Sequence, residues 1–413
     1  MSHDEASSSP LHRQDPEVAG WLQREDRRQR TTLTLIASEN HCSAAVREAC
    51  GSRITDKYAE GYPGRRYYAG CEIADGIEDL ARQRALQLFA GADTANVQPH
   101  SGTSANLEAL LALAGPNGRI VGMSLKAGGH LSHGHHKSHT GVVFDAKQYG
   151  VDDRGLIDLD EVRDLVREHR PQVLIAGGSS YCRIIDYAAF GEIAREFEAY
   201  LLCDIAHPAG LIAAGVLPSP VGVADVVTMT THKTLRGPRG GLILAQERVV
   251  KDINSSVFPG GQGGPLVQQI AGKAVAFGEA LQPGFKAYQQ QVVDNARWLA
   301  ECLVGHDLDL VTGGTDNHIV LVDLRKTEMT GAVIEERALA AGLAVNKNAV
   351  PGDPRPPMVT SGLRLGTPAI TTRGFDRDAI KAVADVIGGL VRGEDPEKFK
   401  TRVQELCEAH PLP

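Results

Sequence analysis

A histidine and a lysine stand between threonines in TMTTHKTLRGPRGG, residues 228–241, where a β-branched apolar run gives way to glycine and proline. A loop lysine is ordinarily a solvated surface residue. Lys233 gains another meaning beside three further segments. AYLLCDIAHPAGL places Asp204 and His207 just after an apolar run. An aspartate there is ordinarily a turn residue; the alternative is a carboxylate facing a pyridinium nitrogen, with His207 within reach of the same ring. QPHSGTSANLEALLALAG sets Ser101, Gly102 and Thr103 ahead of an amphipathic helix. They form either a plain N-cap or an anion site of backbone N–H groups and small hydroxyls, and no Walker lysine follows. Arg364 in VTSGLRLGTPA is either a salt-bridge arginine or a bidentate grip on a carboxylate. One lysine for a Schiff base, a ring-nitrogen partner and a phosphate cup are together what pyridoxal phosphate requires. The amine must be neutral to attack an aldehyde, whereas free lysine titrates near about 10.4; burial and a cation such as Arg239 would lower it.

TDKYAEGYPGRRYYAGCE is too polar for a core strand and too aromatic for a linker. Glu60 beside Tyr58, Tyr67 and Tyr68 reads as a site loop with a carboxyl tuned for proton transfer, or as a contact between subunits. GGHLSHGHHKSHTG holds His130, His133, His135, His136 and His139. No cysteine or carboxylate lies among them and the spacing fits no familiar ligand set, so no metal is expected; a ring-stacking role suits one of them better.

These groups need a scaffold that brings distant segments to one edge. From residue 119 onward, RIVGMSL, QVLIAGGSSY, AYLLCDIAH, ADVVTMTTHK and GGLILAQE read as short buried strands, with DLDEVRDLVREH and FGEIAREFEAY as helices between them. The alternation implies an α/β fold with a mostly parallel sheet, whose ligands sit beyond the carboxyl ends of the strands. Ser179, Asp204, His207, His232 and Lys233 fall there. Asp15-Pro16 opens a helix to about residue 30, and a long helical region spans about 265–304. The expected division is a disordered tail over 1–14, an N-terminal arm over 15–45, a large domain over 46–290 and a smaller α+β domain over 291–413.

The chain has 413 residues, 42% hydrophobic, and a net charge of −8, which argues against nucleic acid as partner. Seven scattered cysteines without a CxxC pair suggest reduced thiols and a cytoplasmic location. No signal peptide and no membrane span are expected from the hydropathy pattern.

At this point the residues resemble a family. LIASEN, DKYAEGYPGRRYYAGCE, NVQPHSGTSAN, GGHLSHG, DIAHPAGLIAAG, TTHKTLRGPRGG, FPGGQGGP, GGTDNHIVLVDL, NKN and TSGLRLGTPAITTRG occur in the order found in serine hydroxymethyltransferases, fold-type I pyridoxal-phosphate enzymes, over about residues 15–410. The resemblance implies a large domain around a mostly parallel seven-stranded sheet, and conversion of L-serine to glycine with tetrahydrofolate as cosubstrate. It implies that Lys233 carries the cofactor as a Schiff base, supported by Thr230 and His232. Ser101, Gly102 and Thr103 bind the phosphate, with Gly263 and Gly264 closing the cup from a neighbouring subunit. His130 stacks on the ring, Asp204 pairs with its nitrogen, and Ser179 and His207 flank it. Ser38, Tyr58, Tyr68 and Arg364 hold the amino acid. Glu60, again from the neighbour, manages the hydroxyl proton, and Leu125, Gly129, Leu131 and Asn348 meet the folate. A homo-oligomer, at least a dimer with shared sites, is implied.

The chain departs from the family pattern in HHKSHTGVVFD after Gly134, in Thr103, in the non-aromatic residue after CE, and in Pro208. These changes bear on substrate more than on cofactor. They leave open a specialised aldol enzyme on the same scaffold, an α-methylserine hydroxymethyltransferase or a threonine transaldolase or aldolase, and, more remotely, a silent binding paralogue.

Overall fold

A computed structural model describes residues 9–413. Residues 1–8 of the expected tail lie outside the described residues. The rest of that tail is not irregular: Pro10–Gln14 is helical, because the Ser9 hydroxyl accepts from the His12 N–H and Pro10 supplies a preset first turn. The next helix, Pro16–Thr31, starts where Asp15 caps the Val18 N–H at 3.0 Å.

Seven strands form the main sheet: β1 (Thr94–Asn96), β2 (Arg119–Met123), β3 (Asp145–Tyr149), β4 (Val173–Gly177), β5 (Tyr200–Asp204), β6 (Val226–Thr230) and β7 (Gly241–Ala245). Their order is β1-β7-β6-β5-β4-β2-β3; β7 is antiparallel to both neighbours and the other pairings are parallel. The pleat sorts side chains to opposite faces. Val121, Leu174, Leu201, Cys203, Val227, Met229, Leu242 and Leu244 pack into one core with Phe190 and Phe277. Their alternates Ile120, Ile175, Leu202, Val226 and Ile243 pack into another with Leu110 and Ile253. With both faces covered, the central strands are apolar without a break, which is why they were visible in the sequence. The edge strands β1 and β3 were not, since DAKQY alternates polar residues as a half-exposed edge does.

The expected helical stretch over 265–304 is two helices, Val267–Ala280 and Pro283–Val304. Pro283 has no N–H to continue a helix and instead opens a new one. A second sheet has β8 (Asp309–Leu310), β9 (Ile319–Asp323), β10 (Asn346–Asn348) and β11 (Gly362–Gly366) in the antiparallel order β8-β9-β11-β10. Its core gathers Val320, Val322, Leu363 and Leu365 with Ile380, Val383 and Ile387 of the helix Arg377–Val391. Leu33 and Leu35 join this core, and Leu33–Thr34 pairs in parallel with Leu343–Ala344. Among the described residues no helix is long and apolar enough to cross a membrane.

Candidate active site

A cleft of about 450 Å³ opens at the carboxyl ends of β4, β5 and β6 and is bounded on its far side by β10 and β11. Ser38, Ser101, Gly102, Thr103, Leu125, Gly129, His130, Leu131, Ser179, Asp204, His207, Thr230, His232, Lys233, Asn348 and Arg364 all line it. Parallel strands deliver Ser179, Asp204, His207, His232 and Lys233 to one edge, and the antiparallel second sheet brings Asn348 and Arg364 up to face them.

Lys233 is not a solvated loop residue. It is only 8% exposed. Burial lowers its amine to about 8, with Asp204 opposing the shift and the Arg364 and Arg239 charges adding to it. Asp204 ends β5 and is buried among donors. Its Oδ2 accepts from Asn106 Nδ2 at 2.8 Å and from His133 Nε2 at 2.9 Å, and its Oδ1 accepts from the Ala206 N–H at 2.9 Å. Burial pushes this carboxyl upward, but the His133 hydrogen bond, the histidine charges and the Asn106 amide outweigh it and hold the group well below the usual carboxylate range. Burial drives His130 down to about 4 and His232 to about 3, and takes His207 well below its ordinary value, so the imidazoles around the lysine are neutral at pH 7.

Ser101 caps the helix Gly102–Ala114, its Oγ accepting from the Ser104 N–H at 3.1 Å. A Cβ on Gly102 would lie 2.6 Å from Thr230 Cγ2, so only glycine lets this turn rest on the end of β6, three residues before Lys233. Arg364 lies on β11. Its Nη1 donates to the Ser179 carbonyl at 2.7 Å and its Nε to Asn346 Oδ1 at 3.2 Å, which aims the fork into the cleft.

These residues fit pyridoxal phosphate. The glycine-lined helix start suits a phosphate. The Asp204 carboxylate is strongly anionic, as a pyridinium partner must be, and the buried His232 Nδ1 has no partner among the described residues. Arg364 and Lys233 supply the carboxylate fork and the amine.

Five of the expected residues lie elsewhere. Tyr58, Glu60, Tyr68, Gly263 and Gly264 are absent from the cleft wall. They gather on a separate patch: Tyr58 Oη donates to Glu60 Oε1 at 3.1 Å, the Tyr58 and Tyr68 rings lie 4.9 Å apart, and a Cβ on Gly263 would stand 3.1 Å from Glu60 Oε1. Tyr58 is 54% and Tyr68 48% exposed. The sequence reading also missed residues. Asn106, in the SGTSAN segment, and His133, counted only as one of a histidine cluster, both bind Asp204. Asn346 and the Ser179 carbonyl steer Arg364. Among the described residues no group of histidine, cysteine and carboxylate side chains is placed to hold a metal ion.

The family model described as serine hydroxymethyltransferase matches residues 11–387. A serine hydroxymethyltransferase of Acinetobacter baylyi is 53% identical over 405 residues, covering 96% of this chain and 97% of the relative. One of Acinetobacter baumannii strain ATCC 17978 is 52% identical over the same length, with the same coverage.

Proposed function

The chain belongs to the serine hydroxymethyltransferase family, and we propose that it interconverts L-serine and glycine through a cleft in which Lys233 holds pyridoxal phosphate and tetrahydrofolate takes up the one-carbon unit. The observation that carries this reading is the convergence of a depressed lysine, an anionic aspartate and a carboxylate-binding arginine in one cleft. When bound, the cofactor supplies an electron sink for the pair released as the Cα–Cβ bond of serine breaks.

The chain's own groups do the rest. Lys233, lowered to about 8, has about a tenth of its amine neutral at pH 7, far more than a free lysine would. Asp204 would hold a negative charge for the ring nitrogen, Ser101, Gly102 and Thr103 would hold the phosphate with Gly263 of the partner subunit and Gly264 of the partner subunit, and His130 would stack on the ring. Ser179 and His207 border the ring edge; Thr230 and His232 support the lysine. Arg364 would grip the substrate carboxylate as a planar fork beside Ser38, with the partner's Tyr58 and the partner's Tyr68 completing the pocket. Glu60 of the partner subunit takes the hydroxyl proton of serine. Leu125, Gly129, Leu131 and Asn348 form the folate mouth. This reading includes a homo-oligomer, at least a dimer with shared sites, and the position of the Tyr58–Glu60 patch outside the cleft of its own chain supports it.

The test is a substrate panel: L-serine, α-methylserine and L-threonine, each with and without tetrahydrofolate. Folate-dependent turnover of L-serine, lost in Lys233→Ala, is expected. A preference for either other amino acid, or serine cleavage indifferent to folate, overturns the reading.

A further inference from the structure

A buried polar cluster that the mechanism above does not use lies directly behind Asp204 and His130. Asn106, on the helix Gly102–Ala114, is 2% exposed, and each hydrogen-bonding position of its amide that faces a neighbour is taken. Its Oδ1 accepts from Thr228 Oγ1 at 2.5 Å. One Nδ2 proton goes to Asp204 Oδ2 and the other to Ser132 Oγ, both at 2.8 Å. Ser132 Oγ in turn lies 2.7 Å from His130 Nδ1. That nitrogen also accepts from the Ser132 N–H at 3.2 Å, so it is the unprotonated nitrogen of the imidazole and the Ser132 hydroxyl donates to it. The chain of donors therefore runs one way: Thr228 to Asn106, Asn106 to both Asp204 and Ser132, Ser132 to His130.

The direction is enforced. A flipped amide would press its carbonyl oxygen against the Asp204 carboxylate. Thr228 sits opposite Asp204 in the β5–β6 register, so its hydroxyl and the carboxylate meet Asn106 from adjacent strands. Thr228 is fully buried, as is Ser132, and neither hydroxyl has water to turn to.

We propose that Asn106 is a positioning residue that holds two groups read as facing the cofactor, the Asp204 carboxylate and the His130 imidazole, in one fixed arrangement through its buried amide and the Ser132 hydroxyl that the amide donates to. Asn106 acts through those neighbours. His133 also touches both residues, donating to Asp204 and accepting the His130 backbone N–H on its Nδ1 at 3.3 Å, whereas Asn106 reaches the His130 ring nitrogen through the Ser132 hydroxyl. The inference rests on Asp204 and His130 facing pyridoxal phosphate.

The test uses the full-length chain stripped of cofactor and reloaded with pyridoxal phosphate, read by equilibrium dialysis and by the absorbance of the bound chromophore against pH. The groups facing Asp204 in that titration are His133, His130 and Lys233. Asn106→Ala is expected to weaken cofactor binding on the order of tenfold and to move the pH midpoint of the chromophore. Asn106→Asp keeps the shape, removes both donors and sets a second carboxyl beside Asp204, so it should do both more strongly. Thr228→Val leaves the amide in place but untethered and should shift both readings less. A residue that merely fills space would lower thermal stability and leave the midpoint where it is. Wild-type affinity and midpoint in Asn106→Ala and Asn106→Asp overturn the proposal. If those two do not fold, wild-type values in Thr228→Val overturn it. A wild-type chain that forms no chromophore, or an Asp204→Ala variant that keeps the wild-type midpoint, refutes instead the placement of the cofactor on which the inference rests.

Discussion

At the scale of the residue, the chemistry is set by what burial does to a charge. Lys233 sits in a desolvated pocket with two guanidinium groups acting on it, and its amine comes down to about 8. Below that value each pH unit costs about a factor of ten in neutral amine. Capture of pyridoxal phosphate by the cofactor-free enzyme, followed by stopped-flow absorbance, should therefore speed up about tenfold per unit toward pH 8 and level off above it. A rate still climbing at about pH 10 would mean the lysine titrates as a free side chain. The identity of this lysine was legible because it lies in an order of motifs, apolar run then Asp204, apolar run then Lys233. Asn106 and Ser132 were not legible. A buried amide and a hydroxyl leave no spacing signature, and only the fold discloses that they share a carboxylate and an imidazole.

At the scale of the element, the helix Gly102–Ala114 carries both the turn proposed to hold the phosphate and a liability. Glu108 is 1% exposed and neither carboxylate oxygen has a partner among the described residues. Burial raises it to about 8, against the pull of Lys273. Its folded pKa lies above its unfolded one, so the stability associated with the protonated form is complete below about 4.5 and is lost as pH rises toward about 8. Glu108→Gln should thus be the more stable protein above pH about 5, by an amount that widens with pH at up to about 1.4 kcal/mol per unit. Denaturant unfolding at two pH values checks this; an equal gap at both would show that the carboxyl ionises freely in the folded state. The strands beside this helix show where sequence patterns suffice. VVTMT and GLILA are buried on both faces and announce themselves. Thr94–Asn96 is a three-residue strand held by β7 alone, too short to leave a pattern. The break at Pro283 was in the sequence but was passed over, because apolar periodicity continues on both sides of it.

At the scale of the whole molecule, the cleft belongs to one chain and the Tyr58–Glu60–Gly263 patch faces outward from it. If sites are completed across the subunits of a dimer, as proposed, mixing Lys233→Ala and Glu60→Ala proteins under exchange conditions should recover about a quarter of wild-type activity, because half the dimers are mixed and each has one intact site. No recovery would place Glu60 in the cleft of its own subunit. The aromatic loop was read from the sequence as either a site or a contact between subunits, and only its outward position in the fold separates those readings from a place beside Lys233. The helix Pro283–Val304 runs beneath the cleft with a foot in each half of the protein: Phe285 packs under the main sheet, while Ala296, Leu299 and Leu303 pack under the second. Lys233 rides on the first half and Arg364 on the second. That helix also reaches the residue beside the lysine, Gln289 Nε2 donating to the Thr234 carbonyl at 2.7 Å, so a library seeking bulkier amino acids as substrates has reason to vary its buried face as well as the walls of the cleft.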